Sequence, residues 1–188
     1  MVIELEIMCF KLADHLIDSI NNNVEYQKHE LSNKRLQKLM FFSLVKYAHD
    51  NNGAKMFREK FCAWQHGPVV NNIYLAYSGY QKGQMKPVYS PLQIISDKKI
   101  LKALNEVLEE TKDVSTQELI ARTHYAGSPW DKVYDKKKTN VIPFDLIKSY
   151  YCESEKHYNE LFPIQLDTSK DVRESSKNGG KIRKKKNK

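Results

Sequence analysis

The sequence predicts a mainly α-helical, single-domain protein resembling a helix bundle, with at most a small β element and a disordered basic C-terminal tail. Three observations lead there. Apolar residues recur at helical spacing in one segment after another. Residues suited to capping helix ends, such as Ser32 and Ser115, stand just ahead of those segments. Finally, charge is divided unevenly along the 188 residues. Residues 163–188 hold nine Lys/Arg against three acidic side chains, whereas the preceding 162 hold 22 against 20. The domain is therefore placed at 1–162 and the tail at 163–188.

Taken in order, the first helix is expected over Ile3 to Asn21, with Ile7, Phe10, Leu12, Ala13, Leu16, Ile17 and Ile20 near helical spacing. Asn21-Asn22-Asn23 interrupts it, because Asn side chains compete for backbone hydrogen bonds. Ser32 starts a second helix that runs to Asp50 and is closed by Asn51-Asn52-Gly53. Apolar residues surround most of its circumference, which places it at the centre of a bundle. Phe57 to Gln65 alternates like a short strand. After it, Pro68 suits the first position of a third helix reaching Tyr77. Ser78 to Pro91 reads as a loop, with a short strand at Val88–Tyr89. Ser96 opens a fourth helix, and Ser115-Thr116-Gln117-Glu118 fits a capping box for a fifth, ending near His124. A break at Gly127-Ser128-Pro129-Trp130 leads into a short helical turn. One last helix is expected from Pro143 to Leu161, and disorder from Pro163 onward.

Composition narrows the class. The chain is 40% hydrophobic, enough for a core. Its apolar runs fall far below the roughly 20 residues of a membrane span. The N-terminal residues lack the pattern of a secretory signal, so the expected location is the cytoplasm. Cys9, Cys62 and Cys152 are far apart and form no CxxC pair, so they read as reduced packing thiols.

Three segments stand out from ordinary helix. The first is Lys34-Arg35-Leu36-Gln37-Lys38-Leu39-Met40-Phe41-Phe42. The second is Phe61-Cys62-Ala63-Trp64-Gln65-His66-Gly67-Pro68-Val69, followed by Ile73-Tyr74. The third is Leu119 to Thr123 with His124, then Ser128-Pro129-Trp130. Their order and spacing resemble the Panacea domain of SocA-like, GepA-type phage-associated proteins, over roughly residues 5 to 151. The Ala63-Trp64 to Val69 block is the most specific part. The resemblance implies an antitoxin that neutralises a cognate protein toxin by direct contact, without a cofactor. Some relatives are viewed as adaptors presenting the toxin to a protease, and the resemblance does not choose between blocking and delivery.

The motif residues are Lys34, Leu36, Gln37, Lys38, Leu39, Phe41, Trp64, Gly67, Pro68, Val69, Tyr74, Thr123, His124, Pro129 and Trp130. Architecture is the favoured reading of Trp64, Gly67, Pro68 and Trp130, because large aromatics and helix punctuators are usually structural. Gln37 and Lys38 are expected on a solvated helix face, or else toward a partner or capping a neighbouring loop. A partner surface is expected around the Ser32 helix and the segment from Trp64 to Tyr74.

Other chemistry is less well supported. Cys62 and His66 do not have zinc-ligand spacing, and His66 and His124 read as satisfied, partly buried histidines. The phosphate-binding loops GxxxxGK[ST] and GxGxxG are missing, as is the nucleophile motif GxSxG. A DNA-binding regulator of its own operon is the main alternative. DNA or RNA contact would come from Lys181, Arg183, Lys184, Lys185 and Lys186 in the tail, and would weaken strongly with salt.

Overall fold

The computed structural model describes residues 2–88 and 95–163, the first six of them as backbone alone. The tail, with its expected disorder and its five nucleic-acid candidates, lies outside the described residues. Among those described, the helices are α1 (Val2–Asn22), α2 (Asn33–Asp50), α3 (Asn71–Ala76), α4 (Lys98–Thr111), α5 (Thr116–Thr123), α6 (Pro129–Val133), α7 (Phe144–Tyr151) and α8 (Glu155–Leu161). A 3-10 turn at Val24–Lys28 follows α1. Strands β1 (Phe61–Trp64), β2 (Gly67–Val69) and β3 (Asn140–Ile142) form one antiparallel sheet in the order β2-β1-β3. The mainly helical reading with a small β element is what the chain adopts.

Helix α2 is the axis of the core. It packs against α1, α4, α5, α7 and β2. Leu36, Leu39, Met40, Phe41, Phe42, Leu44 and Val45 are each at most 1% exposed. A helix buried around its circumference needs apolar residues on every side, and α2 has them. Phe41 meets Phe61 edge-on at 5.1 Å and Tyr151 at 6.0 Å, tying β1 and α7 to the same side chain. The helix starts where expected, with Ser32 Oγ accepting from Arg35 N at 3.2 Å.

Elsewhere, Tyr77 donates its hydroxyl to the buried Asp14, which also accepts from Val88 N at 2.9 Å. These bonds hold the loop after α3 onto α1. No described helix is long and apolar enough to cross a membrane.

Several boundaries differ from expectation, each for a physical reason. Pro68 lies in edge strand β2, where a residue without an amide proton is tolerated, and α3 begins only after Val70. Asp97, rather than Ser96, caps α4 by accepting from the amides of Lys99 and Ile100. Glu118 N donates to Ser115 Oγ at 3.1 Å, but the Glu118 carboxylate pairs with Arg122 instead of completing the box. The expected last helix is two, because Ser154 caps a fresh start and accepts from His157 N. Val88 is outside any strand, and Tyr89 lies beyond the described residues. The third strand is β3, whose residues bear no alternating pattern.

Candidate functional site

The three motif segments converge on the β1–β2 hairpin. Its exposed tip is Gln65–His66, and Trp64 faces Gly67 across it. Gly67 sits at φ +95°, the left-handed position that closes a hairpin after an ordinary turn. A Cβ there would stand 2.6 Å from Thr123 Oγ1 and 2.7 Å from Lys38 Nζ, so no larger residue fits.

A two-strand hairpin leaves outward backbone groups that must find partners when buried. Four side chains supply them. Lys38 Nζ donates to Pro68 O at 2.6 Å. Val70 N donates to Gln37 Oε1 at 2.8 Å, while Gln37 Nε2 returns to Asn33 on its own helix at 3.2 Å. From the other side, Trp130 Nε1 donates to Trp64 O at 2.7 Å. His124 Nε2 lies 3.3 Å from Gln65 O, and its Nδ1 lies 2.6 Å from Ile120 O. Thus Gln37 and Lys38 from α2, His124 at the end of α5, and Trp130 of α6 grip one hairpin. Covering the outer edge of β2 also protects a strand that would otherwise offer free backbone groups.

Aromatic packing extends the grip. Trp64 meets Tyr74 edge-on at 4.8 Å, His124 lies 3.7 Å from Trp130, and Tyr134 stacks on Trp130 at 4.5 Å. Ser128 caps α6 and donates to Thr123 O at 3.0 Å, so α5 and α6 are locked where they meet the hairpin. The Trp64 indole Nε1 is buried without an acceptor among the described residues.

Burial overturns one expectation directly. Gln37 is 0% exposed and Lys38 1%, so neither lies on a solvated face. Leu36, Leu39, Phe41, Val69, Thr123, Pro129 and Trp130 are buried as well, and Tyr74 and His124 are half-buried. Lys34 alone among these motif residues is exposed. The exposed histidine is His66 at the hairpin tip, contrary to the partly buried reading; His124 fits that reading. Partial desolvation, and then the nearby Lys34 and Lys38, hold the His66 imidazole below its ordinary value. The cysteines are free, with Cys9 and Cys62 buried. Among the described residues no three His, Cys, Asp or Glu side chains gather as a metal site.

Two features escaped the sequence reading. Arg35, one residue into the first motif, is 2% exposed, and its guanidinium donates to Thr111 O at 2.9 Å and Val114 O at 2.7 Å. It therefore caps the C-terminal end of α4, where free carbonyls and the helix dipole favour a cation. The second is the run Lys136-Lys137-Lys138 beside the hairpin. A scan for charge runs within the body would have marked it.

Lys38 gives a testable pH dependence. Burial, with a carbonyl as its acceptor, pushes its ammonium well below the ordinary lysine value of 10.5. Between the lowered folded value and 10.5, the unfolded chain holds a proton that the folded chain does not. This site therefore adds stability as pH rises through that window, by up to about 1.4 kcal/mol per pH unit. Lys38→Met removes the contribution. Urea midpoints for both proteins at pH 8, 9 and 10 should show the wild type gaining on the variant; a constant difference rejects the account.

The comparisons with known proteins bear on the same segments. A family profile described as "Antitoxin SocA-like, Panacea domain" matches residues 36–131, from α2 through the hairpin into α6. The protein named Antitoxin SocA, from Caulobacter vibrioides (strain NA1000 / CB15N), is 30% identical over 121 residues. That alignment covers 59% of this chain and 64% of the relative, so the chain spans less than two thirds of the relative's length. No solved structure matches the chain.

Proposed function

From the premise that the chain belongs to the SocA-like, Panacea-domain antitoxin family, we propose that it neutralises a cognate protein toxin by binding it directly. The family match carries this reading. The geometry supports a binding role, because the motif's central polar side chains are turned onto the chain's own hairpin. Lys38, Gln37 and Trp130 each hold a hairpin carbonyl or amide. What the motif delivers to solvent is a firmly held tip at Gln65–His66, flanked by Lys34. A rigid scaffold of this kind suits recognition, since little conformational freedom is lost when a partner arrives.

The test begins with the neighbouring reading frame. Expressed alone it should arrest growth, and co-expression of this chain should restore growth, with the two proteins co-purifying at a fixed ratio. A neighbour that is harmless by itself counts against the reading. The half-life of the neighbour's product separates modes of action: unchanged under blocking, and shortened if the chain instead delivers the toxin to a protease.

A further inference from the structure

We propose that the lysine turn between α6 and β3, with the cleft beside it, docks an acidic segment of the partner protein. The proposal rests on the antitoxin reading and gives the toxin-facing surface a location and a chemistry. The cleft has a volume of about 690 Å³ and is lined by Trp64, Gln65, Tyr134, Lys136, Lys137 and Lys138, among others. One wall is the hairpin built by the motif, and the other is the lysine run.

The three lysines and Lys132 are exposed, and none of the four forms an ion pair with a described residue. Three lysines on the α2/α4 side, Lys46, Lys102 and Lys112, are by contrast each paired with carboxylates. The acids nearest the turn, Asp131 and Asp135, set two carboxylates against four lysines, and each has one oxygen engaged with backbone. Asp131 accepts from Gly127 N at 2.8 Å and Asp135 from Lys137 N at 2.8 Å. The lysines outnumber the carboxylates, so a net positive charge remains at this cleft, with Lys132 Nζ also 5.7 Å over the Tyr150 ring.

The turn is also held in place. Asp135 bridges to Lys138, Asn140 Nδ2 donates to Val133 O at 2.6 Å, and Tyr134 is stacked on Trp130. Displaying cations on a fixed turn lowers the ordering needed when a carboxylate-bearing segment binds. A protein occupant is favoured over nucleic acid for two reasons. The residues ahead of the tail are nearly neutral, with 22 basic against 20 acidic side chains, and so lack the broad basic stripe of a nucleic-acid surface. The aromatic walls, Trp64 and Tyr134, are half-buried and already packed on other rings, which leaves no open platform for base stacking.

The full-length chain carrying Lys136→Glu, Lys137→Glu and Lys138→Glu tests the inference. The control carries Lys82→Glu, Lys86→Glu and Lys156→Glu, an equal charge change at exposed lysines elsewhere. Binding to the neighbouring frame's product is measured by surface plasmon resonance at low and high salt. Both variants are checked for folding by circular dichroism. The turn variant should bind about 10- to 100-fold more weakly, chiefly through slower association, and should lose salt dependence; the control should stay within about threefold. Equal loss in both variants, or none in the turn variant, overturns the proposal. So does a turn variant that loses binding to a 20-nucleotide single strand or duplex while keeping its affinity for the protein. A wild-type chain that binds no such product removes the antitoxin reading and this inference with it, an outcome distinct from failure of the variant comparison.

Discussion

Gly67→Ala should lower stability by about 2–5 kcal/mol. The estimate combines two effects. A left-handed backbone position costs a residue with a Cβ roughly 1–2 kcal/mol, and forcing a methyl into a filled site typically costs a further 1–3 kcal/mol. Here the methyl would sit under 3 Å from Thr123 Oγ1 and Lys38 Nζ. Neither group yields easily, since Thr123 is bonded to Ile120 O and Lys38 to Pro68 O. For a chain of this size the loss corresponds to a fall in Tm of roughly 4–20 °C. Gly79→Ala is the matched control: nothing lies within 4 Å of its added Cβ, so its Tm should hardly move. Thermal unfolding of both variants reads the difference directly. An unmoved Tm for Gly67→Ala would mean the hairpin is not closed as described.

Arg35→Ala has the other large expected effect, roughly 3–5 kcal/mol of destabilisation. The guanidinium satisfies two carbonyls at the end of α4 from inside the core, and its removal strands both and opens a cavity. Burial brings its pKa down to about 10, so it remains charged at neutral pH and its interaction with the α4 terminus is retained. Arg35→Lys should rescue little, because a single ammonium cannot span the two oxygens as the planar fork does. Urea denaturation should show the midpoint falling while the m-value holds. Equal midpoints for wild type and Arg35→Ala would reject the capping role.

Both residues mark where sequence reading succeeds and where it stops. Gly67 announced its role, because a glycine and a proline after an alternating run demand a turn. The Ser32 and Ser115 caps were legible for a similar reason: a local hydrogen bond needs only local sequence. Helix α2 declared itself central through its apolar girth. Its polar members were misjudged because a lone Lys or Gln is normally assigned to solvent. A finer reading of the rows was available. Lys38 is followed at three, four and seven residues by Phe41, Phe42 and Val45, and Gln37 at three, four and seven by Met40, Phe41 and Leu44. A polar residue in line with such rows points into the core.

The remaining discrepancies are long-range. Strand β3 has no pattern of its own and exists because Asn140, Val141 and Ile142 find the free edge of β1. Arg35 is explained only when α4 arrives, 76 residues later in the chain. The partner for Lys38 depends on Pro68 occupying an edge strand instead of a helix. No local window contains these facts, so the candidate site was legible as three motifs but not as one assembly.

The order in which the hairpin is closed has a consequence for how the chain is made. Strand β1 emerges early in synthesis, yet its carbonyl at Trp64 waits for Trp130, and its second edge waits for Val141 and Ile142. Helix α2, made earlier still, waits for Ile147 and Tyr151 of α7 to cover it. The core around α2 and β1 is thus sealed only by residues in the last third of the sequence, which a nascent chain makes last. The stretch 36–131 that carries the family signature omits α1, β3 and α7 and so holds only part of the core.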